Sequence, residues 1–297
     1  LRAREHNFDR GIDLTEVNKI LDFIEKHYSE FKSGIKELDD RNIVPSRGAV
    51  TLILAPTGRG KTWALGNYGK QAILQRRKVA HITLEIAAEE MGQRYYQSFF
   101  SIPKWDDDVE VSNLELGKGG KLREITRDTI KPEIAFSSRG IRKHLQKLVK
   151  PRRDMYDKGF GLILPNLVIK RFPSRSLTMN GLRAYLDALE SVHGFIPDMI
   201  ILDYIGIMNT DPKNPRTSLG RAFEEFRGIC VERNAAGVTA HQVSKMGADA
   251  QLVKATHVAE DWSLIATADT AITYSQTPEE EKVGLARLFV AKARSEA

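Results

Sequence analysis

The sequence predicts an α/β fold with a mostly parallel, twisted sheet and helices on both of its faces. Short apolar runs rich in β-formers alternate with longer segments of helical periodicity, and a glycine-bearing loop joins one such run to the helix after it. This alternation predicts parallel strands joined by right-handed helical crossovers. The predicted strands cover residues 50–54, 79–84, 167–172, 199–202, 238–241, 270–274 and 285–291.

Four segments between these strands repeat apolar residues at helical spacing and are predicted as helices. Two of them precede a glycine, Gly194 or Gly237, where we expect a left-handed helix terminus. A further amphipathic helix is expected over residues 17–31, before the first strand. The four predicted helices cover residues 61–75, 88–100, 181–193 and 219–233.

Composition excludes several classes of protein. The 297 residues are 41% hydrophobic but contain no apolar run near twenty residues, so we expect a soluble, cytoplasmic protein without a membrane span, in the host cytoplasm if it is phage-encoded. A single cysteine, Cys230, excludes an internal disulfide and is expected to be a small buried hydrophobe. The net charge of +6 modestly favours a polyanionic partner.

Residues from about 102 to 165 break the alternation and are interpreted as a basic, largely helical insertion. Within it, Ile141, Leu145 and Leu148 share one helical face beneath several cations. The cationic face is either an ordinary solvated surface or a contact for nucleic acid. Its cations are Arg142, Lys143, Lys147 and Lys150.

The most informative motif is the eight-residue segment from Ala55 to Thr62, Ala-Pro-Thr-Gly-Arg-Gly-Lys-Thr, between a predicted strand and a predicted helix. Free N–H groups of the loop and of the helix start bind phosphate, and the helix dipole favours negative charge there. Lys61 is expected to reach the β- and γ-phosphates of ATP, and Thr62 to bind Mg²⁺. Ala55 stands where the strict pattern has glycine, which a small residue tolerates at negative φ. A chance glycine loop is the alternative. The predicted nucleotide-binding residues are Thr57, Gly58, Arg59, Gly60, Lys61 and Thr62.

Two acidic residues at predicted strand ends complete a candidate hydrolytic site. Asp203 ends an apolar strand and can hold Mg²⁺ through water opposite Thr62, unless it is an ordinary strand-terminal aspartate. Glu85 ends the strand after the glycine loop and can polarise the attacking water. Glu89 and Glu90 lie close by but belong to the next helix, which makes Glu85 the better candidate.

Six motifs occur in the order found in RecA-like ATPases, and together they look most like the motor domain of hexameric DnaB-type replicative helicases. The resemblance covers residues 34 to 297 except most of the insertion, which leaves residues 1–33 as an N-terminal helical segment or linker. The motifs are Gly34-Ile-Lys-Glu-Leu-Asp39, the glycine loop, Thr83-Leu-Glu85 with Met91, Leu202-Asp-Tyr-Ile-Gly-Ile-Met208, His241-Gln-Val-Ser244 and Ala291-Lys-Ala-Arg294.

The resemblance implies catalytic roles for Lys61 and Glu85 and a magnesium-side role for Asp203. It also implies that Gln242 senses the γ-phosphate, although a plain strand-end amide is the alternative. Lys292 and Arg294 resemble a Lys-x-Arg pair that acts in the site of the neighbouring subunit, and residues two apart on a strand share one face. Their alternative is an exposed basic edge that prevents strand pairing.

The resemblance further implies a ring, expected to be a hexamer, that uses ATP and Mg²⁺ and moves on single-stranded DNA. The loops after Asp203 and Gln242 then face DNA, and their basic residues are candidate phosphate contacts without sequence readout. These residues are Lys213, Arg216, Lys245 and Lys254.

We therefore predict an ATP-dependent DNA helicase motor with sites between subunits. Two alternatives remain open at this level. One is a RecA-like or KaiC-like ATPase that acts in recombination or regulation. The other is a nucleotide-switched loading or binding factor of a replisome that hydrolyses ATP slowly.

Overall fold

The computed structural model describes residues 17, 18, 21, 31–117, 122–149, 163–209, 214–243 and 262–294. The strands are β1 (Val50–Ala55), β2 (Val79–Thr83), β3 (Val109–Leu116), β4 (Leu122–Ile130), β5 (Leu167–Arg171), β6 (Met199–Asp203), β7 (Ala236–Gln242), β8 (Thr270–Ser275) and β9 (Arg287–Ala293). The helices are α1 (Lys36–Asp40), α2 (Lys61–Leu74), α3 (Ala88–Phe100), α4 (Ile141–Val149), α5 (Met179–His193), α6 (Pro215–Glu232), α7 (Trp262–Thr267) and α8 (Pro278–Lys282).

Seven strands form the main sheet in the order β5-β2-β6-β7-β1-β8-β9. All neighbours pair in parallel except β8 and β9, which form an antiparallel pair. The parallel strands therefore end at one edge of the sheet, which we call the C-terminal edge, and begin at the opposite N-terminal edge. Because β9 is antiparallel, its last residues lie at the N-terminal edge. The predicted mostly parallel α/β fold is confirmed.

Two apolar layers hold the helices against the sheet. On one face, α5 and α6 pack through fully buried side chains that include Leu182 and Phe226. On the other face, α2 and α3 pack through Leu65 and Met91. All six residues of β1 are buried, as expected for a central strand covered on both sides. This packing fixes the ends of β1, β2, β6 and β7, where the candidate site lies.

Two glycines that follow predicted helices have different roles. Gly194 ends α5 at φ +60°, so the predicted left-handed terminus is confirmed there. The same prediction is wrong for Gly237, which lies inside β7, while Asn234 takes the left-handed conformation at φ +48°. A Cβ on Gly237 would lie 2.6 Å from the Cys230 sulfur, so glycine is needed here for close packing. The prediction that Cys230 is a buried hydrophobe is confirmed.

The insertion differs from its predicted, largely helical form. Its first half is the antiparallel hairpin of β3 and β4, and among its described residues the longest helix is α4. The sequence carries the strand signal, because Val109 and Val111 alternate with polar residues and the glycine-rich segment 117–120 suits a turn. In α4 the apolar residues Ile141 and Leu145 are partly buried, and Arg142, Lys143 and Lys147 are exposed, as the helical spacing predicts. Lys150 lies outside the described residues.

Most element boundaries agree with prediction within a few residues. The last strand begins at Arg287, two residues later than expected, and α6 begins four residues earlier than expected. The predicted helix over 17–31 lies mostly outside the described residues, so the division into 1–33 and 34–297 stays a prediction. Over the described ranges, no helix combines the length and apolar character that a membrane span requires.

Candidate functional site

The glycine loop connects β1 to α2 at the C-terminal edge. Gly58 and Gly60 have φ values of +73° and +88°, a region that favours glycine, so both glycines are required by the backbone path. Ala55 ends β1 as an ordinary strand residue, which explains why alanine is tolerated there. No side chain caps the start of α2, so its first N–H groups are left for an anion.

Lys61, the first residue of α2, is 9% exposed. Its ammonium group donates a 3.4 Å hydrogen bond to the Pro56 carbonyl oxygen and lies 5.7 Å from the centroid of the Tyr204 ring. Burial lowers the pKa of Lys61, and the charges of Glu85 and Asp203 oppose that shift. The ammonium group therefore lies in the loop, inside the negative field of two carboxylates.

Asp203, the last residue of β6, is fully buried. Among the described residues neither of its carboxylate oxygens has a partner with hydrogen-bond geometry. Burial raises the pKa of Asp203 to about 6, and the nearby Thr62 hydroxyl lowers it in part. A buried carboxylate without a partner is costly, which indicates that a ligand belongs there.

The donor set around Asp203 fits Mg²⁺. A carboxylate and a hydroxyl, from Asp203 and Thr62, are oxygen ligands of the kind that Mg²⁺ prefers. Over the described residues, no three His, Cys, Asp or Glu side chains gather into a metal cluster. A magnesium ion here must therefore take its other ligands from water and substrate phosphates, which is the usual arrangement in nucleotide sites.

Glu85 follows the end of β2 and has an exposed side chain. β2 and β6 pair in register, with Thr83 opposite Asp203, and the Leu84 N–H donates a 2.7 Å hydrogen bond to the Asp203 carbonyl oxygen. After burial, the charge of Glu85 is the main influence that raises the pKa of Tyr204. The structure therefore places Glu85 beside Lys61 and Asp203, whereas Glu90 pairs with Arg94 on the exposed surface of α3.

Gln242, the last residue of β7, lies opposite Ala55 on the neighbouring strand. Its side-chain amide donates a hydrogen bond to the Thr57 hydroxyl. A residue predicted from a separate motif thus contacts the glycine loop directly. The contact connects the glycine loop to the end of β7.

Arg59 makes a contact that sequence reasoning missed. Its guanidinium donates to the Glu281 carboxylate of α8 at 2.6 Å. The short helix α8 carries a complete capping box between Thr277 and Glu280, which fixes its start after β8. The two partners are 222 residues apart, so no local pattern indicates the pair.

Lys292 and Arg294 lie at the N-terminal edge, away from the glycine loop of their own chain. Lys292 pairs opposite Ala271 on β8, and its ammonium donates to the carbonyl oxygens of Ile265 and Ala266. Arg294 follows the end of β9 and donates to Asp269 at 2.8 Å and to the Ala266 carbonyl oxygen at 3.4 Å. Their shared contact with Ala266 agrees with the prediction that both side chains lie on one face.

Asp269, which sequence reasoning also missed, organises this second cluster. Its carboxylate accepts from the Arg227 guanidinium at 3.0 and 3.1 Å and from the Val50 N–H at 2.9 Å, besides Arg294. Burial raises the pKa of Asp269, but these hydrogen bonds hold it below its usual value overall. Asp269 is therefore a satisfied carboxylate, unlike Asp203.

The predicted DNA contacts are placed only in part. Lys213, Lys245 and Lys254 lie outside the described residues. Arg216 was expected in a loop, but it lies in the first turn of α6, where Pro215 suits the first helical position. The assignment of these four residues to DNA stays a prediction.

Comparisons with known proteins show similarity in sequence and in fold. No known family profile matches the chain. Over 239 residues, 78% of its length, the chain is 25% identical to the DnaB-like replicative helicase of Enterobacteria phage T4, and it spans 43% of that protein. Its fold is similar to a solved structure described as an ATPase domain, with a TM-score of 0.66 and 16% identity over 97% of this chain and 93% of that one.

A second solved structure has the same fold. A DnaB-like replicative helicase, described together with its interactions with primase, gives a TM-score of 0.61 at 16% identity and covers 96% of this chain and 62% of that one. The chain thus spans less than half of the curated relative that it matches. The resemblance inferred from the motifs is confirmed: the chain is similar in sequence to a DnaB-like replicative helicase and shares the RecA-like fold of two solved structures, a DnaB-like replicative helicase and an ATPase domain.

Proposed function

We propose that the chain is an ATP-dependent DNA helicase motor that hydrolyses ATP between the subunits of a ring and translocates on single-stranded DNA. One observation carries this proposal. The glycine loop follows the end of β1, whereas Lys292 and Arg294 lie near the start of β1 and β8. The six residues of β1 span about 20 Å, so the loop and this pair of cations are too far apart to act together within one chain, which supports a site completed by a second copy.

The first half binds the substrate, ATP. The N–H groups of the loop and of the start of α2 hold the phosphates, and Lys61 neutralises their charge. Thr62 and Asp203 would hold Mg²⁺, which supplies further positive charge to the phosphate oxygens. Glu85 orients and deprotonates the attacking water. Gln242 reports the state of the γ-phosphate through its contact with the loop at Thr57.

The second half comes from the next copy of the chain. Its Lys292 and Arg294 exchange their contacts with Asp269 and the α7 carbonyl oxygens for the γ-phosphate of the neighbouring site. Such trans-acting cations stabilise the charge of the transition state and accelerate hydrolysis by about 10³–10⁵-fold in related chemistry. Hydrolysis then requires the assembled ring, expected to be a hexamer.

The proposed movement on DNA depends on the two loops that follow β6 and β7. The segments after Asp203 and Gln242 both leave the sheet at the C-terminal edge, so hydrolysis can displace them together. Lys213, Arg216, Lys245 and Lys254 are proposed phosphate contacts, which suit movement without sequence preference. The basic face of α4 is the proposed contact for DNA or a replisome protein. The protein is expected to act in the cytoplasm.

The proposal is tested by unwinding of 5′- and 3′-tailed DNA forks with ATP and Mg²⁺, together with mass measurement of the assembly. We expect unwinding by a ring and none by Lys61→Ala. Full hydrolysis by a strictly monomeric preparation would overturn the shared site. Strand exchange without fork unwinding would select the recombinase alternative, and tight ATP binding with near-zero, DNA-independent turnover would select the loading factor.

A further inference from the structure

The buried ammonium group of Lys61 has few partners. Among the described residues it makes one hydrogen bond, to the Pro56 carbonyl oxygen, which is long at 3.4 Å. Asp203 carries two buried carboxylate oxygens on the same side of the sheet, yet neither has a partner with hydrogen-bond geometry among the described residues. Among the described residues, a positive and a negative group therefore lie in one buried site without forming an ion pair.

The aromatic ring of Tyr204 lies beside the Lys61 ammonium. Tyr204 follows Asp203 directly, packs against the apolar layer on the α2 side of the sheet, and presents its ring 5.7 Å from the Lys61 ammonium. An ammonium group within about 6 Å of an aromatic face is attracted to the ring. The ring thus offers Lys61 an alternative to pairing with the Asp203 carboxylate.

The local backbone makes room for the ring. A Cβ on Gly206 would lie 2.9 Å from the Tyr204 Cε2 atom and 3.1 Å from the His241 Nδ1 atom. Gly206 lies in the short 3₁₀ helix Ile205–Ile207, where a larger residue would displace the ring or the histidine. The ring position is therefore set by the residues after β6 and does not depend on Lys61 alone.

We propose that Tyr204 is a positioning residue, whose ring face holds the Lys61 ammonium at the phosphate loop and prevents it from pairing with Asp203. The proposal rests on the proposed function, because it assumes that Lys61 binds the phosphates of ATP. Lys61 is then ready for phosphate before ATP arrives, and the Asp203 carboxylate stays available for Mg²⁺.

The ring face, and not the hydroxyl group, carries this role. Over the described residues the Tyr204 hydroxyl makes no hydrogen bond, whereas the ring has both an ammonium partner and an apolar support. Tyr204→Phe keeps the ring and is the matched control. Tyr204→Leu keeps apolar bulk but removes the aromatic face.

The experiment measures MgATP affinity by titration calorimetry, kcat at saturating ATP, and thermal unfolding of the full chain. For Tyr204→Leu we expect a Kd that rises by about 2- to 30-fold, the range of a partly buried cation–aromatic contact. Saturating ATP restores the lysine to the phosphates, so kcat should change by less than about 3-fold and Tm should stay within a few degrees. Tyr204→Phe should match the wild-type protein in all three measurements.

A second variant covers the case in which Tyr204→Leu loses its fold. Gly206→Ala places a methyl group against the Tyr204 ring and the His241 side chain without changing Lys61 or Tyr204, and it should raise the Kd in the same direction. Wild-type affinity in folded Tyr204→Leu, or equal losses in Tyr204→Phe and Tyr204→Leu, overturns the positioning role. The Lys61→Ala variant separates the two proposals, because undiminished MgATP binding and hydrolysis in that variant would contradict the proposed function itself.

Discussion

Each edge of the main sheet carries an aspartate and a lysine, but the two edges differ in how many hydrogen-bond partners these residues have. At the C-terminal edge, the Asp203 carboxylate is buried without a hydrogen-bond partner among the described residues, and Lys61 holds one long hydrogen bond. At the N-terminal edge, Asp269 accepts from two guanidinium groups and a backbone N–H, and Lys292 donates to two carbonyl oxygens. The first edge is incomplete without a ligand, whereas the second is complete within one chain.

The difference identifies which edge is built for binding. Buried polar groups in folded proteins are nearly always satisfied, so an unsatisfied carboxylate marks a place where a ligand supplies the missing contacts. The satisfied edge has the opposite meaning for Lys292 and Arg294. Their present partners hold them in place in the isolated chain, and action on a neighbouring site requires those partners to be exchanged.

The largest expected effect tests the satisfied edge. Arg294→Ala should lower ATP hydrolysis by about 10²–10⁴-fold while ATP binding is kept, because the cation acts on the transition state of another copy. Steady-state phosphate release and equilibrium ATP binding measure the two quantities. Arg287→Ala is the matched control, since this cation begins the same strand and pairs with Glu280 at the C-terminal edge. Equal losses in both variants would remove the special role of Arg294.

The next effect tests the incomplete edge. Glu85→Gln should lower hydrolysis by about 10²–10³-fold with ATP still bound, because the amide cannot accept the proton of the attacking water. Single-turnover hydrolysis of radiolabelled ATP measures the trapped fraction. Glu89→Gln, on the exposed start of α3, should behave like the wild-type protein. A wild-type rate in Glu85→Gln would show that the base lies elsewhere.

A third prediction concerns stability and pH. Burial raises the pKa of Asp203 from 3.8 to about 6, which corresponds to a destabilisation of about 3 kcal/mol when the group is charged in the folded protein. The folded state binds the proton more tightly than the unfolded state, so this cost is absent below pH 3.8, grows as pH rises, and is complete above about pH 6. Asp203→Asn should therefore stabilise the nucleotide-free protein by about 1–3 kcal/mol at pH 7.5 and abolish hydrolysis.

Urea unfolding at about pH 7.5 and about pH 4.5 measures the change in stability. The gain from Asp203→Asn should shrink at the lower pH, where the wild-type carboxyl group is mostly protonated. Asp269→Asn is the opposite control, because it removes a carboxylate that is already satisfied and should lower stability. A loss of stability in Asp203→Asn at the higher pH would contradict the contrast between the two edges.

The smallest effect concerns the Arg59 and Glu281 pair. Glu281 is 59% exposed, so its loss should change stability by no more than about 1 kcal/mol. Release of Arg59 makes its charge available to phosphate, and we expect Glu281→Gln to tighten ATP binding by about 2-fold. Glu279→Gln, an exposed neighbour on α8, should leave the affinity unchanged. Weaker ATP binding in Glu281→Gln would mean that the pair supports the loop instead.

Sequence alone predicts the parts of this protein that depend on local pattern. Apolar runs and helical spacing give the strands of the main sheet and the helices that cover it to within a few residues, because burial on two faces imposes that pattern. The conformation of the glycine loop was predictable from its sequence, because Gly58 and Gly60 adopt positive φ values that favour glycine. The positions of Asp203 and Glu85 were predictable because parallel strands end at one edge, whereas Gln242 was expected only from the family resemblance.

Other features depend on contacts between distant segments and could not be predicted. Arg59 pairs with Glu281 on α8, far along the chain, and Arg294 reaches Asp269 because β9 runs antiparallel to β8. No residue type in the sequence indicates either pair. The sequence gives the order of elements along the chain but not the order of strands in the sheet. The separation of Lys292 from Lys61 therefore could not be predicted from residue patterns. Tyr204 lies within a motif that carries the family resemblance, but its role becomes visible only when the Lys61 ammonium is placed beside its ring.

The most direct test of the shared site is complementation between two inactive variants. Lys61→Ala lacks the phosphate-binding lysine and Arg294→Ala lacks the trans-acting cation, so each forms only defective sites. In mixed rings, about a quarter of the interfaces combine an intact loop with an intact cation if assembly is random and head to tail. We predict that mixing the variants restores hydrolysis well above either one alone. A mixture that assembles but stays as inactive as its components would contradict a site shared between copies.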